Sequence, residues 1–314
     1  MSQADQTQSS SADLAFSRTM EFEYGVAAEV APGVRRVVAN NPGPFTFKGT
    51  NTYIVGRGEV AVIDPGPEDP AHLDALMGTL RGERVSHILI THTHRDHTDG
   101  VAGLKARTGA TVLAYGPTDK PRGVQTTSPS GKAFVDEALV IDEQLRDGDM
   151  VKGAGWAIDV LHTPGHAPDH LCFGLVGQRT VFSGDHVMGW NTTVVAPPEG
   201  HMGDYLGSLE RLLERNDVVF LPGHGGCIKL PQRVVKAYVM HRKWRESAIH
   251  DCVAEGLETI PQIVAKIYSG LDPKLSGAAA LSVLAHLEHL TERGLVQPHG
   301  PPGPLAIQTP FSPA

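Results

Sequence analysis

A chain of 314 residues has room for one large α/β domain with a small appendage, or for two ordinary domains. The net charge of −8, and the lack of any apolar run near the roughly eighteen residues that span a bilayer, argue against a general nucleic-acid binder and against a membrane protein. Cys172, Cys227 and Cys252 show no CxxC spacing, so they suggest small apolar residues in a reducing cytoplasm rather than a disulfide framework.

Residues 1–20 are rich in Ser and Gln, lack the basic and apolar regions of a secretory signal, and read as disordered. Residues 21–245 read as one catalytic domain. Strands are expected at 52–55 and 60–64 around a Gly-Arg-Gly turn, at 86–91, and at 111–115 after a short helix over 99–107. Residues 116–131 form a turn-rich loop without periodicity, either a flap on the substrate side or a disordered insertion. Strands at 156–162, 170–176 and 180–183 follow, then a helix over 203–215, a strand at 218–221 and a long helix from Pro231 to about 255. Beyond a boundary near 245–255 the character changes. Helices over 260–268 and 277–293, the second carrying a stripe of Leu281, Leu284, Leu287 and Leu290, precede Val296 and 305–307 as a possible hairpin, the order of a winged helix over 246–314.

The strand at 86–91 runs directly into His92-x-His94-x-Asp96-His97. Four imidazole or carboxylate donors within six residues make a metal a better explanation than a solvated loop with chance histidines. Three more strand ends each deliver a donor behind a glycine that lets the backbone turn: Gly165-His166, Gly184-Asp185 and Gly223-His224. His170 reads as a structural histidine, Arg95 as exposed, and His186 as either a substrate contact or a packing residue. Neither Ser183 nor Cys172 is assigned as a nucleophile.

The order HxHxDH, GH, GD, PGHG resembles the metallo-β-lactamase superfamily, and Asp64 in Ile63-Asp64-Pro65-Gly66 matches its first motif. The resemblance implies an α/β fold, an αββα sandwich with its site at one sheet edge. By position it implies one metal held by His92, His94 and His166, another by Asp96, His97 and His224, with Asp185 bridging and Asp64 supporting the histidine loop from behind. Two divalent cations sharing a hydroxide would attack a carbonyl or phosphorus, with Asp96 a ligand and proton acceptor. Zinc suits these donors, and manganese or iron would fit similar sites. Asn51, His186 and Asn191 are the substrate-side candidates.

The C-terminal part resembles the beta-lactamase-like protein 2 family, whose animal members cleave single-stranded RNA; this implies a nuclease alternative. Against it, residues 241–300 hold six Lys/Arg (242, 243, 245, 266, 274, 293) and seven Asp/Glu (246, 251, 255, 258, 272, 288, 292), too acidic for a phosphate-gripping module. The expectation is therefore a hydrolase of a small thioester, lactone or lactam, with RNA as the alternative substrate and DNA disfavoured. The C-terminal module would shape the cleft or a homodimer interface. The remaining alternative is a nucleic-acid-binding module with a structural metal site.

Overall fold

The computed structural model describes residues 16–116, 134–300 and 303–314. Apart from Gly116, the expected 116–131 flap lies outside them, as do residues 1–15 of the amino terminus. Residues at the start of the described chain are docked: Ser17 N–H donates to the Gly189 carbonyl at 2.9 Å, and the Phe16 ring meets Tyr238 edge-on.

Two sheets face each other. The first holds, in spatial order, β1 (Ala28–Ala31), β2 (Val34–Val38), β3 (Asn51–Arg57), β4 (Glu59–Ile63), β5 (Arg84–Leu89), β6 (Thr111–Ala114) and β7 (Glu143–Gln144). The second runs β12 (Val219–Pro222), β11 (Thr180–Gly184), β10 (Leu171–Leu175), β9 (Trp156–His162) and β8 (Met150–Gly153). Alternation along the strands sorts side chains into layers. Tyr53, Val55, Ala61 and Ile63 point between the sheets to meet Val160, Phe173, Phe182 and Leu221. Their neighbours Ile54, Val60 and Val62 point outward against α1 (Pro70–Thr79) and α3 (Val101–Thr108), where Leu76 and Leu104 cover them. Cys172, Val181 and Phe220 likewise point outward under α4 (Met202–Leu213) and α5 (Pro231–Ala254). Each such Leu or Phe contributes about 1.5–3 kcal/mol by leaving water. The result is the αββα sandwich expected.

β1 and β2 lie ahead of the first strand expected from sequence, at 52–55. In β2, Arg35 and Arg36 interrupt the apolar pattern, yet both are buried: Arg35 pairs with Glu83 at 2.7 Å and Arg36 donates to the Glu21 carbonyl at 3.0 Å.

α5 belongs to two cores. Val235, Tyr238 and Val239 pack in the outer layer of the second sheet. Ile249, Cys252 and Val253 join α6 (Ile260–Ile267) and α7 (Ser276–Glu292) in a separate C-terminal core. The wing differs from the expected hairpin. β13 (Val296–Pro298) pairs antiparallel with β14 (Phe311–Pro313), not with 305–307. Phe311 is the fully buried anchor, while Leu305 and Ile307 only pack against that core from a turn. The leucine stripe of α7 also divides: Leu284, Leu287 and Leu290 enter the C-terminal core, and Leu281 turns toward the catalytic domain.

Candidate metal centre

Four strand ends converge at one edge of the sandwich. β5 delivers the loop 90–94 and the short helix α2 (Arg95–Thr98), which together carry His92, His94, Asp96 and His97. The loops after β9, β11 and β12 deliver His166, Asp185 and His224. The last two depend on close backbone approach. A side chain at Gly223 would begin 2.4 Å from Asp185 Oδ1, and Gly184 holds a left-handed φ of 47° with His170 Nε2 where its Cβ would be.

The donors fall into two groups joined by a third, His92, His97 and Asp185. The ligand atoms of His92, His94 and His166 lie within 4.8 Å of one another, as do those of Asp96, His97 and His224. In the first group His94 Nδ1 is 2.9 Å from His92 Nε2 and 3.1 Å from His166 Nε2. Asp185 reaches both groups, its Oδ2 lying 3.8 Å from His166 Nε2 and 3.3 Å from His224 Nε2, with Oδ1 3.6 Å from His97 Nε2. A carboxylate in that place would serve cations in both groups.

Every ring nitrogen that faces away from the cluster has a partner. His92 Nδ1 meets Thr91 Oγ1 at 3.0 Å, His94 Nε2 meets Glu199 at 2.8 Å, and His97 Nδ1 meets Asp64 at 2.9 Å. His166 Nδ1 faces the Val194 carbonyl at 2.6 Å, and His224 Nδ1 faces the Gly49 carbonyl at 3.3 Å. Such contacts fix the ring orientations, so that one nitrogen of each ring faces the cluster and is free to bind a metal once deprotonated. Inside, His97 Nε2 and Asp185 Oδ1 are buried with no hydrogen-bond partner. Cations placed among these donors would satisfy both atoms, and the residues fit a pair of divalent metals.

Electrostatics does not follow the same division, because, against the cost of burial, Glu199 raises His94. Burial, reinforced by neighbouring imidazoles, holds His92 well below its usual range and His166 at about 4, so both are neutral donors. His97 and His224 go the other way. Against the cost of burial, Asp96, Asp185 and Asp64 raise His97 well above its range, and Asp185 with Asp96 raises His224 to about 9. Protons on these two rings stand where a cation's charge would be.

Asp64, at the end of β4, accepts from Thr91 N–H, Thr91 Oγ1 and His97, and adopts a left-handed φ of 51°. It anchors the histidine loop from beneath. His170 is structural: Nδ1 pairs with Thr163 Oγ1 and Nε2 accepts the Asp185 N–H at 3.1 Å, which fixes the bridging residue. Ser183 Oγ donates to the Val187 carbonyl, and burial pushes the Cys172 thiol to about 12, so neither is poised as a nucleophile.

A cavity of about 530 Å³ opens above the donors. His94, Asp96, His166, Asp185 and His224 form its floor; Phe45, Phe134, Met188, Val194, Pro198 and Leu281 supply apolar walls. Arg95, expected to be exposed, is half-buried, lines this cavity and pairs with Asp99 at 2.9 Å. The three substrate-side candidates are not in the lining. Asn51 is fully buried, its amide donating to the Pro222 and Gly225 carbonyls at 2.9 Å, so it braces the His224 loop. His186 is fully buried against Tyr205. Asn191 is exposed, its side chain accepting from Thr192 N–H. Glu199 and Leu281, which do line it, carry no sequence signal of their own: one is a lone carboxylate and the other one leucine of a stripe.

The family model of the metallo-beta-lactamase superfamily matches residues 45–224, which hold all seven donors. The chain belongs to the metallo-beta-lactamase superfamily. It is a metallo-hydrolase of that superfamily with a His/Asp metal site. The beta-lactamase associated winged helix domain matches residues 259–301. A beta-lactamase-like protein 2 homolog of Drosophila melanogaster is 33% identical over 83% of this chain and 88% of its own length. An atrochrysone carboxyl ACP thioesterase of Cryptosporiopsis sp. is 36% identical over 70% of this chain, which spans 63% of that protein's length. A beta-lactamase domain protein from Burkholderia ambifaria has the same fold, with a TM-score of 0.78 at 23% identity, covering 94% of this chain and 95% of that one. Among the described residues, no helix is long and apolar enough to cross a membrane.

Proposed function

We propose that the protein is a dinuclear, zinc-dependent hydrolase of a small carbonyl substrate, a thioester, lactone or lactam, whose acyl portion is apolar. The observation that carries this reading is the contrast between the donor-lined floor of the cavity and its apolar walls. Among its described lining residues Arg95 is the one Lys or Arg, and its charge is engaged by Asp99. A polyphosphate backbone would find little to neutralise it there.

When bound, the metals lower the pKa of water toward neutrality and offset the charge that grows on the carbonyl oxygen. The chain's residues do the rest. Phe45, Phe134, Met188 and Leu281 exclude water and hold the acyl group so that its carbonyl lies over the floor. Asp96 is the more open of the two carboxylates, with its side chain 31% exposed against 10% for Asp185. It is the group placed to accept a proton at Oδ1 or Oδ2 from the attacking water.

The C-terminal module supports the same reading. In a helix-turn-helix the second helix of the pair enters the major groove. Here that helix is α7, and its Ala278 and Leu281 line the cavity instead. The thioesterase relative is in keeping with a carbonyl substrate. The test is hydrolysis by the zinc-loaded full chain of acyl thioester, lactone, lactam and single-stranded RNA panels. Carbonyl hydrolysis that Asp96→Ala abolishes is expected; RNA cleavage alone would select the nuclease alternative.

A further inference from the structure

The two halves of the metal centre are braced from different places. The Asp96, His97 and His224 half leans on Asp64 at the end of β4 and on the Gly49 carbonyl beside β3, both fixed by the first sheet. In the other half, two of the three outward contacts come from one segment, residues 194–201, whose Val194, Ala196, Pro198 and Glu199 line the cavity. Val194 holds His166 Nδ1, and Glu199 Oε2 lies 2.8 Å from His94 Nε2. The segment is closed on itself by Gly200 N–H to the Ala196 carbonyl at 2.8 Å, and tied down by His201 N–H to the Gly165 carbonyl at 2.9 Å. Glu199 is thus carried on a defined turn.

His94 differs from the other four histidine donors. It presents Nδ1 to the cluster, whereas His92, His97, His166 and His224 present Nε2. Either nitrogen of a surface imidazole can bind a metal, and the choice follows the hydrogen bond made by the other. A carboxylate accepting from Nε2–H leaves the Nδ1 lone pair inward and makes the ring more basic.

The geometry points to Glu199 as the positioning residue for the metal held by His92, His94 and His166, acting through the ring of His94 and not through contact with substrate. Metal binding at that half therefore depends on a cavity-wall segment, while the other half depends on the sheet.

The test is equilibrium titration of the chelator-stripped full chain with Zn²⁺ against a chromophoric chelator, resolved into two stepwise constants. His94→Ala identifies the constant that belongs to the His92/His94/His166 half. Glu199→Ala is expected to weaken that constant by about 10- to 100-fold and leave the other within about threefold. Glu199→Gln keeps an acceptor oxygen for Nε2–H and should recover most of the loss. Two unchanged constants in Glu199→Ala would overturn the proposal. So would an equal fall in both, which would mean general distortion, or a Gln variant as weak as the Ala variant.

Discussion

The floor of the cavity and its walls are built from different kinds of chain. The floor takes donors from the ends of β5, β9, β11 and β12, each behind a strand whose alternate residues are locked between the sheets or under helices. The walls take Phe45 from a loop, Phe134 from beyond β6, a segment around 188–199 and Leu281 from α7 of another core. On the proposed function, chemistry rests on the sheet edge and selection on a composite of distant segments. Changes in the two should therefore have different signatures, one in metal content and turnover, the other in preference among substrates.

The largest effect belongs to the floor. Among the described residues Asp185 is the carboxylate that reaches both donor groups, so in Asp185→Ala metal analysis should show fewer than two metals per chain and activity should fall by about 10³-fold or more. Retained activity with full metal content would break the division. At the wall, Leu281→Trp should lower kcat/KM for the bulkiest acyl substrate by about 10- to 100-fold relative to the smallest, with metal content unchanged. A uniform loss across the series would mean that α7 holds the floor rather than selecting substrate.

α7 is itself held by Glu246 of α5, whose carboxylate pairs with His289 at 2.6 Å and Arg293 at 2.5 Å. Glu246→Gln should cost about 1.5–3 kcal/mol of unfolding free energy at neutral pH. Despite partial burial, the nearby His286 ring and the hydrogen bond with His289 depress the Glu246 pKa from 4.5 to about 2. Because the folded value is the lower one, this stabilisation is complete above about 4.5 and is lost as pH falls toward 2. Denaturation curves of wild type and variant should therefore converge across that window. The smallest signal is protonic. With His94, His97 and His224 all raised in the metal-free chain, zinc binding at pH 7 should release protons, read by calorimetry in buffers of different ionisation enthalpy.

The same division explains what the sequence made legible. Metal ligation demands His and Asp, and the strand ends demand Gly, so His92–His97, His166, Asp185 and His224 could be read by residue type and spacing. Asp64 was readable because it sits in the matching Ile-Asp-Pro-Gly motif. The walls impose only apolarity, which Phe45, Phe134 and Leu281 share with dozens of core residues until the fold brings them together. Asn51 is a candidate by resemblance and His186 by its place next to Asp185, but both are buried in protein. β2 is hard to read because its two arginines break a strand's apolar pattern, and their burial rests on Glu83 and the Gly56 and Glu21 carbonyls.

The most direct test of the central claim is kcat/KM for the zinc-loaded full chain across acyl thioesters of increasing apolar size, with single-stranded RNA assayed alongside. The account predicts two metals per chain, rates that rise with acyl size until the cavity is filled, and no RNA turnover. RNA cleavage lost in Asp96→Ala, without hydrolysis of any thioester, lactone or lactam, would contradict it.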